Sequence, residues 1–334
     1  MGARIVGWLW VASCLLCVPA AHGERELPLA PGSVAVFAGP EQGRAILGRM
    51  DEYLLRMGAF DRMLRLRTER DIGPAEYREV LERNVTAWSD ADRRKVATEL
   101  EAIAARLKGM NLPLPPRVWM VRTTGIGELG DAYTRANAIV LPAASVGAPR
   151  ALLQGLIAHE LFHVMTRHDA DFREKAYSTI GFHMCEHVEL PAALAARRLT
   201  NPDALRNDAY IELTARGNAL KAVPVLLSRS EIFDPKLGTE LTDYWQMRLM
   251  AVQAVEGAGR MAPVLENGEP VLLEPAQVQG FFEQIGTNTD YIIHPEEILA
   301  DHFALIATGA RVREPRFIEA LRALLRAPRA GATR

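Results

Sequence analysis

The chain has 334 residues, 49% of them hydrophobic and 24% charged, which is enough apolar bulk for a sizeable core. That composition excludes a disordered polymer. A formal charge of -2 and a pI near 6.5 exclude a protein whose main task is to neutralise phosphates, so no nucleic-acid partner is expected.

Residues 1-23, MGARIVGWLWVASCLLCVPAAHG, hold one Arg near the start and an apolar run from Ile5 to about Pro19. Ala21 and Gly23 then put small residues at the two positions a signal peptidase reads. This predicts an export signal cleaved after Gly23 and a periplasmic or secreted protein. A run of about 15 apolar residues is short of the roughly 20 that span a bilayer, so the mature chain is expected to have no stable membrane span. An alternative stays open: Val11-Ala12-Ser13-Cys14 resembles a bacterial lipoprotein box, which would leave the protein lipid-anchored through Cys14. A chain cut after Gly23 keeps only Cys185 and must rely on its core rather than on disulfides.

Residues 24-110 read as an extended, Pro- and Gly-punctuated arm followed by helices. In the latter, apolar residues recur at three and four along EQGRAILGRMDEYLLRM, GPAEYREVLERNVTAW and SDADRRKVATELEAIAARL. Charged on one face, these helices are expected to cover something else. NLPLPP at 111-116 is a break. RVWMVRTTG (117-125) and DAYTRANAIVLP (131-142) follow as two β-prone runs separated by IGELG, which predicts a hairpin.

A helix from about Pro149 to Arg167 carries GLIAHELFHVMTRHD. Positions four apart on a helix lie one turn apart on the same face, with Cβ atoms about 5 to 6 Å apart. His159 and His163 at that spacing can reach one ion at about 2.0 to 2.1 Å, and Glu160, beside the first, can take a proton from water activated there. The competing reading is a core helix whose histidines find ordinary hydrogen bonds. Residues 170-290 are expected to be a long, mostly helical region, broken at TNPDA, SRSEIFDPKLG and ENGEPV. In HPEEILADHFALIATG, Pro295 suits a first helical position and Gly309 an end. Glu297 and Asp301 share a face of that helix. Acids in a first turn complement the helix dipole, which is explanation enough for Glu296 and Glu297 taken alone. Asp301, mid-helix among apolar residues, needs a partner, and the outer ring nitrogen of a ligand histidine would supply one.

With His159-Glu160-Leu161-Phe162-His163 and Glu297-Ile298-Leu299-Ala300-Asp301 in view, the chain resembles the gluzincins, the thermolysin-like zinc metallopeptidases of the zincin superfamily. The resemblance covers roughly 111-168 and 291-309. It implies one Zn2+ held by His159, His163 and Glu297, with Glu160 as general base and Asp301 orienting a ligand histidine. It also implies a peptide or protein substrate, and an edge strand at DAYTRANAIVLP that pairs with an extended peptide.

The expected fold is α+β and mainly helical, a zincin-like core with a small antiparallel sheet packed on the HExxH helix. Residues 111-334 would form the metallopeptidase domain, with the helical insertion at about 170-290. The separation of the two motifs is far longer than in thermolysin, so the insertion could supply the third ligand itself. Asp169, His168, the GTNTDY stretch at 286-291, and His183, Glu186, His187 and Glu189 are the competitors for that place. Tyr291, His294, His183, His187 and Tyr210 are candidates for stabilising an oxyanion. The rival reading from another class is a non-catalytic protein that keeps the scaffold for binding or stability.

Overall fold

A computed structural model describes residues 26-257 and 259-328. The expected leader, with Cys14 and Cys17, lies outside the described residues.

In chain order, β1 (Leu27–Ala30) and β2 (Ser33–Phe37) form a hairpin, and α1 (Pro40–Leu47), α2 (Glu52–Arg56), α3 (Ala59–Arg65), α4 (Pro74–Arg83) and α5 (Asp90–Arg106) follow. Ser89 caps α5, its Oγ accepting the Asp92 N–H at 3.1 Å. Three strands come next, β3 (Arg117–Thr123), β4 (Tyr133–Arg135) and β5 (Ala138–Pro142), then α6 (Ala143–Gly147) and the 19-residue α7 (Arg150–His168). Asp169 ends α7 and caps α8 (Ala170–Ser178), accepting the Phe172 N–H at 2.8 Å.

The first sheet runs β1-β2-β3-β5-β4. Its centre is parallel, β2 to β3 and β3 to β5, and each edge is an antiparallel hairpin. The expected small antiparallel sheet is thus a five-stranded mixed one. The predicted hairpin falls one step later, inside DAYTRANAIVLP, because Ala136 takes a positive φ of 52° and folds β4 back on β5. Period-two alternation sends Val118, Met120, Ile139 and Leu141 to one face, against α5, α7 and α12 (Pro295–Thr308). Val121, Ala138 and Val140 go to the other, where Leu47, Leu54, Tyr77 and Leu81 of the N-terminal helices cover them. The extended arm and helices of 24-110 therefore contribute two strands to the sheet and clothe both its faces.

Residues 170-290 overturn the mainly helical expectation. After α8 come β6 (Phe182–Met184), the short α9 (Ala192–Ala195), β7 (Ala209–Ala215), β8 (Asn218–Ser228), α10 (Leu241–Tyr244), β9 (Trp245–Ala254) and β10 (Met261–Pro263). These strands make an antiparallel sheet ordered β10-β9-β8-β7-β6. β11 (Leu265–Glu266) and β12 (Glu269–Pro270) form a separate small hairpin, and β13 (Leu272–Leu273), paired on β9, completes the larger sheet. With 40% helix and 22% strand the fold is mixed α/β. The physical reason is tertiary: β7 to β9 are rich in Ala and Leu, with Met247 and Met250 besides, residues of good helix propensity, and packing on a half-buried sheet overrides it. Pro224 is tolerated because it lies on β8 beyond Ala222, where the pairing with β7 has ended. The turn is Arg216-Gly217, both at positive φ, the two-residue geometry that suits strand twist.

The chain closes through α11 (Phe281–Ile285), α12 and α13 (Pro315–Arg326). Pro295 starts α12, and Gly309 stops it at φ 69°, as the sequence predicts. α12 packs along α7, with Phe162 and Phe303 ring centroids 5.9 Å apart.

Candidate metal centre

The α7–α12 contact brings the two motifs together. His159 Nε2 lies 3.0 Å from Glu297 Oε2, and His163 Nε2 lies 3.6 Å from the same oxygen. Ligand-capable atoms of His159, His163 and Glu297 all fall within 4.8 Å of one another. His163 and Glu297 are buried.

Each ring has its other nitrogen occupied. His159 Nδ1 is 2.8 Å from Asp301 Oδ1, and Thr289 Oγ1 donates to Asp301 Oδ2. His163 Nδ1 is 2.9 Å from Glu296 Oε1, which also accepts from Thr166 Oγ1, while Tyr177 OH donates to Glu296 Oε2 at 2.6 Å. A neutral imidazole has one proton, and these carboxylates commit it to Nδ1. Both Nε2 lone pairs then face the Glu297 carboxylate, acceptor against acceptor. Such an arrangement needs positive charge between the groups, either a second ring proton or a metal cation. Buried His163 Nε2 makes no hydrogen bond among the described residues.

The proton affinities tell the same story. Burial would lower His159, but its hydrogen bonds to Asp301 and Glu297 raise it to about 10. Burial would raise Glu297, yet His163 and His159 hold it well below the usual carboxylate range. The pocket is built to hold cationic charge beside Glu297 Oε2.

Glu160 is buried, and Thr134 Oγ1 on β4 donates to its Oε2 at 2.8 Å. Burial first, then the nearby Asp203 carboxylate, push its pKa up to about 7, against the pull of the two histidines. A carboxylate with that value changes its charge near neutral pH. Of the segment expected to be an edge strand, β4 is a sheet edge and β5 is interior, and the Thr134 N–H of β4 is given to Asp203 Oδ1 at 3.0 Å.

His159 and Glu297 open onto a cleft of about 940 Å3 between α6, α7, α10 and α12. His159, Glu160, Leu156, Ala304, Trp245 and Tyr291 are among its walls. Of the oxyanion candidates, Tyr291 lines this cleft, 6.4 Å from the His159 ring and stacked on Trp245. His294 instead caps α12, its Nδ1 accepting the Glu296 N–H at 3.1 Å. His183 stacks on Tyr210 in the second sheet, and His187 meets Arg56 and the Asn207 N–H.

Neither Asp169, His168, Glu186 nor Glu189 joins the triad. Asp169 is a helix cap, and the other three are exposed. In GTNTDY, Asp290 points to solvent while Thr289 serves Asp301. Burial raises the Cys185 thiol to about 11, far from a reactive thiolate.

Sequence reasoning missed Glu296, Tyr177, Thr166, Thr134 and the loop residues Asn201 and Asp203. Glu296 had a readable signal: with Glu297 and Asp301 it completes a set of three acids for two histidines. The loop had none, since nothing local to TNPDA announces a distant carboxylate. Compared with known proteins, the chain matches no family model, no curated protein and no solved structure.

Proposed function

We propose that the protein is an exported, zinc-dependent metallopeptidase of the gluzincin kind. The observation that carries this reading is the convergence of His159 Nε2, His163 Nε2 and Glu297 Oε2, with the outer ring nitrogens already taken by Asp301 and Glu296. Two imidazoles and one carboxylate are the donor set of a catalytic rather than a closed structural zinc site. When bound, zinc acts as a Lewis acid towards a carbonyl and lowers the pKa of water.

The chain's own residues have separable tasks. Glu160 accepts a proton from the attacking water and returns it to the leaving amine, with Thr134 fixing one of its oxygens. Asp301 and Glu296 hold the two rings with their Nε2 atoms inward. The cleft receives the peptide. Among the described residues no helix is long and apolar enough to cross a membrane. Absence of a strong basic balance in the chain favours a peptide over a nucleic acid.

The rival, a non-catalytic scaffold that keeps zinc for stability, gives Glu160 no task. The test is paired. Gently purified protein is expected to carry zinc by metal analysis. Glu160→Gln is expected to keep that zinc and lose activity on a denatured protein by about 10²- to 10⁴-fold. Full activity in the variant would end the peptidase assignment, and zinc-free protein that binds none on titration would end the metal assignment.

A further inference from the structure

We propose that Asn201 is a positioning residue for the proposed metal: its side-chain amide turns the Glu297 carboxylate so that Oε2 alone is presented to the two histidines. The inference rests on the zinc reading above. Asn201 Nδ2 donates to Glu297 Oε1 at 2.5 Å, while Oε2 is the atom that faces His159 and His163. One oxygen is occupied and the other is aimed.

The amide cannot be reversed without loss. Asn201 Oδ1 accepts the Asp203 N–H at 2.9 Å, an Asx turn that leaves the NH2 end facing Glu297. A flip would set oxygen against carboxylate and amide NH2 against N–H.

The loop that carries Asn201 is itself held from three sides. The Thr200 N–H is received by both oxygens of Asp61 on α3, at 3.0 and 3.1 Å, and the Thr200 carbonyl accepts from Arg65 Nη2. Asp61 and Thr200 are both 1% exposed, so this junction is dry. Arg167, one turn beyond His163 on α7, donates to the Pro202 carbonyl at 2.7 Å and to Asp203 Oδ1 at 3.1 Å. The Leu199 N–H pairs with the Leu226 carbonyl of β8 at 3.0 Å. A loop with no regular structure is thus fixed to α3, α7 and β8, and it presents one amide to a carboxylate of α12. Partners that orient a metal's ligands in this way typically contribute about 10- to 100-fold to affinity.

A merely structural link between loop and helix would cost stability and leave metal affinity unchanged in the folded protein. The experiment separates these roles. Chelator-stripped wild type, Asn201→Ala and Asn201→Leu are titrated with zinc against a chromophoric competitor, and the melting temperature of each metal-free protein is measured alongside. Expected are zinc binding by wild type and affinity about 10- to 100-fold weaker in both variants, with metal-free melting little changed. The Leu variant keeps the side-chain volume and decides the matter should the Ala variant fail to fold. Variant affinities within twofold of wild type overturn the role of Asn201 and leave the zinc reading standing. Wild type that binds no zinc overturns the zinc reading itself.

Discussion

At the scale of single residues, the centre is organised by where its histidines hold their protons. Once Nδ1 of each ring is committed to a carboxylate, everything else about the pocket follows from the need for positive charge at Nε2. Glu296 is the sharpest case, because it is buried with His163, Thr166 and Tyr177 as partners. Glu296→Gln keeps the shape, removes the charge that supports the His163 N–H, and is expected to weaken zinc binding about 10- to 100-fold in a competition titration. An unchanged affinity would mean that Glu296 serves only the dipole of α12. Helical spacing made two pairs legible, His159 with His163 and Glu297 with Asp301, but only the gluzincin resemblance implied that the two helices meet, as their ligand-capable atoms do here. Asn201, Asp203 and Thr134 were not legible, because their contacts span 96, 69 and 26 residues and no local pattern encodes them.

At the scale of elements, α7 and α12 act as two jaws whose relative placement sets the distance from histidines to Glu297. Phe303 is fully buried on α12 and meets Phe162 of α7, between the two halves of the motif. Phe303→Ala is expected to cost about 3 to 5 kcal/mol in denaturant unfolding, with loss of bound zinc preceding unfolding as the jaws loosen. Stability within 1 kcal/mol of wild type would show that the interface is held elsewhere. Both helices were readable end to end: a proline opens each and Gly309 closes the second. The strands β7 to β9 were not. Ala-, Leu- and Met-rich strands carry a helical signature locally, and only their pairing partners, together with a turn at Arg216-Gly217 that lacks the usual Asn-Gly spelling, decide the matter. Asn267-Gly268 does have that spelling and forms the β11–β12 hairpin, a signal hidden inside what reads as a mere break.

At the scale of the whole molecule, the N-terminal helices are tied to the loop beyond the second motif's partner residues. Glu52 on α2 accepts from Arg206 at 2.8 and 2.9 Å and from Arg56 at 2.6 Å, and the Arg206 hydrogen bond, joined by Arg56 against a smaller opposing effect of burial, lowers its pKa from 4.5 to about 2. The folded-state value is depressed, so the contribution is complete above about pH 4.5 and vanishes as pH falls towards 2. Glu52 is a third exposed, and screening keeps the effect below about 1 kcal/mol. Glu52→Gln is therefore expected to melt slightly lower than wild type at neutral pH, with the two curves meeting near pH 2. A gap that widens on acidification would contradict the assignment.

His163 and Glu296, the neighbour of Glu297, stand 133 positions apart in the chain, which also bears on the order of events during biosynthesis. A growing polypeptide displays both imidazoles long before the carboxylate that completes the set has left the ribosome. On the proposed reading, ligand capture, and any peptidase activity with it, waits until α12 has emerged. On the same reading, fragments ending upstream of α12 lack Glu297 and are expected to hold no zinc between His159 and His163.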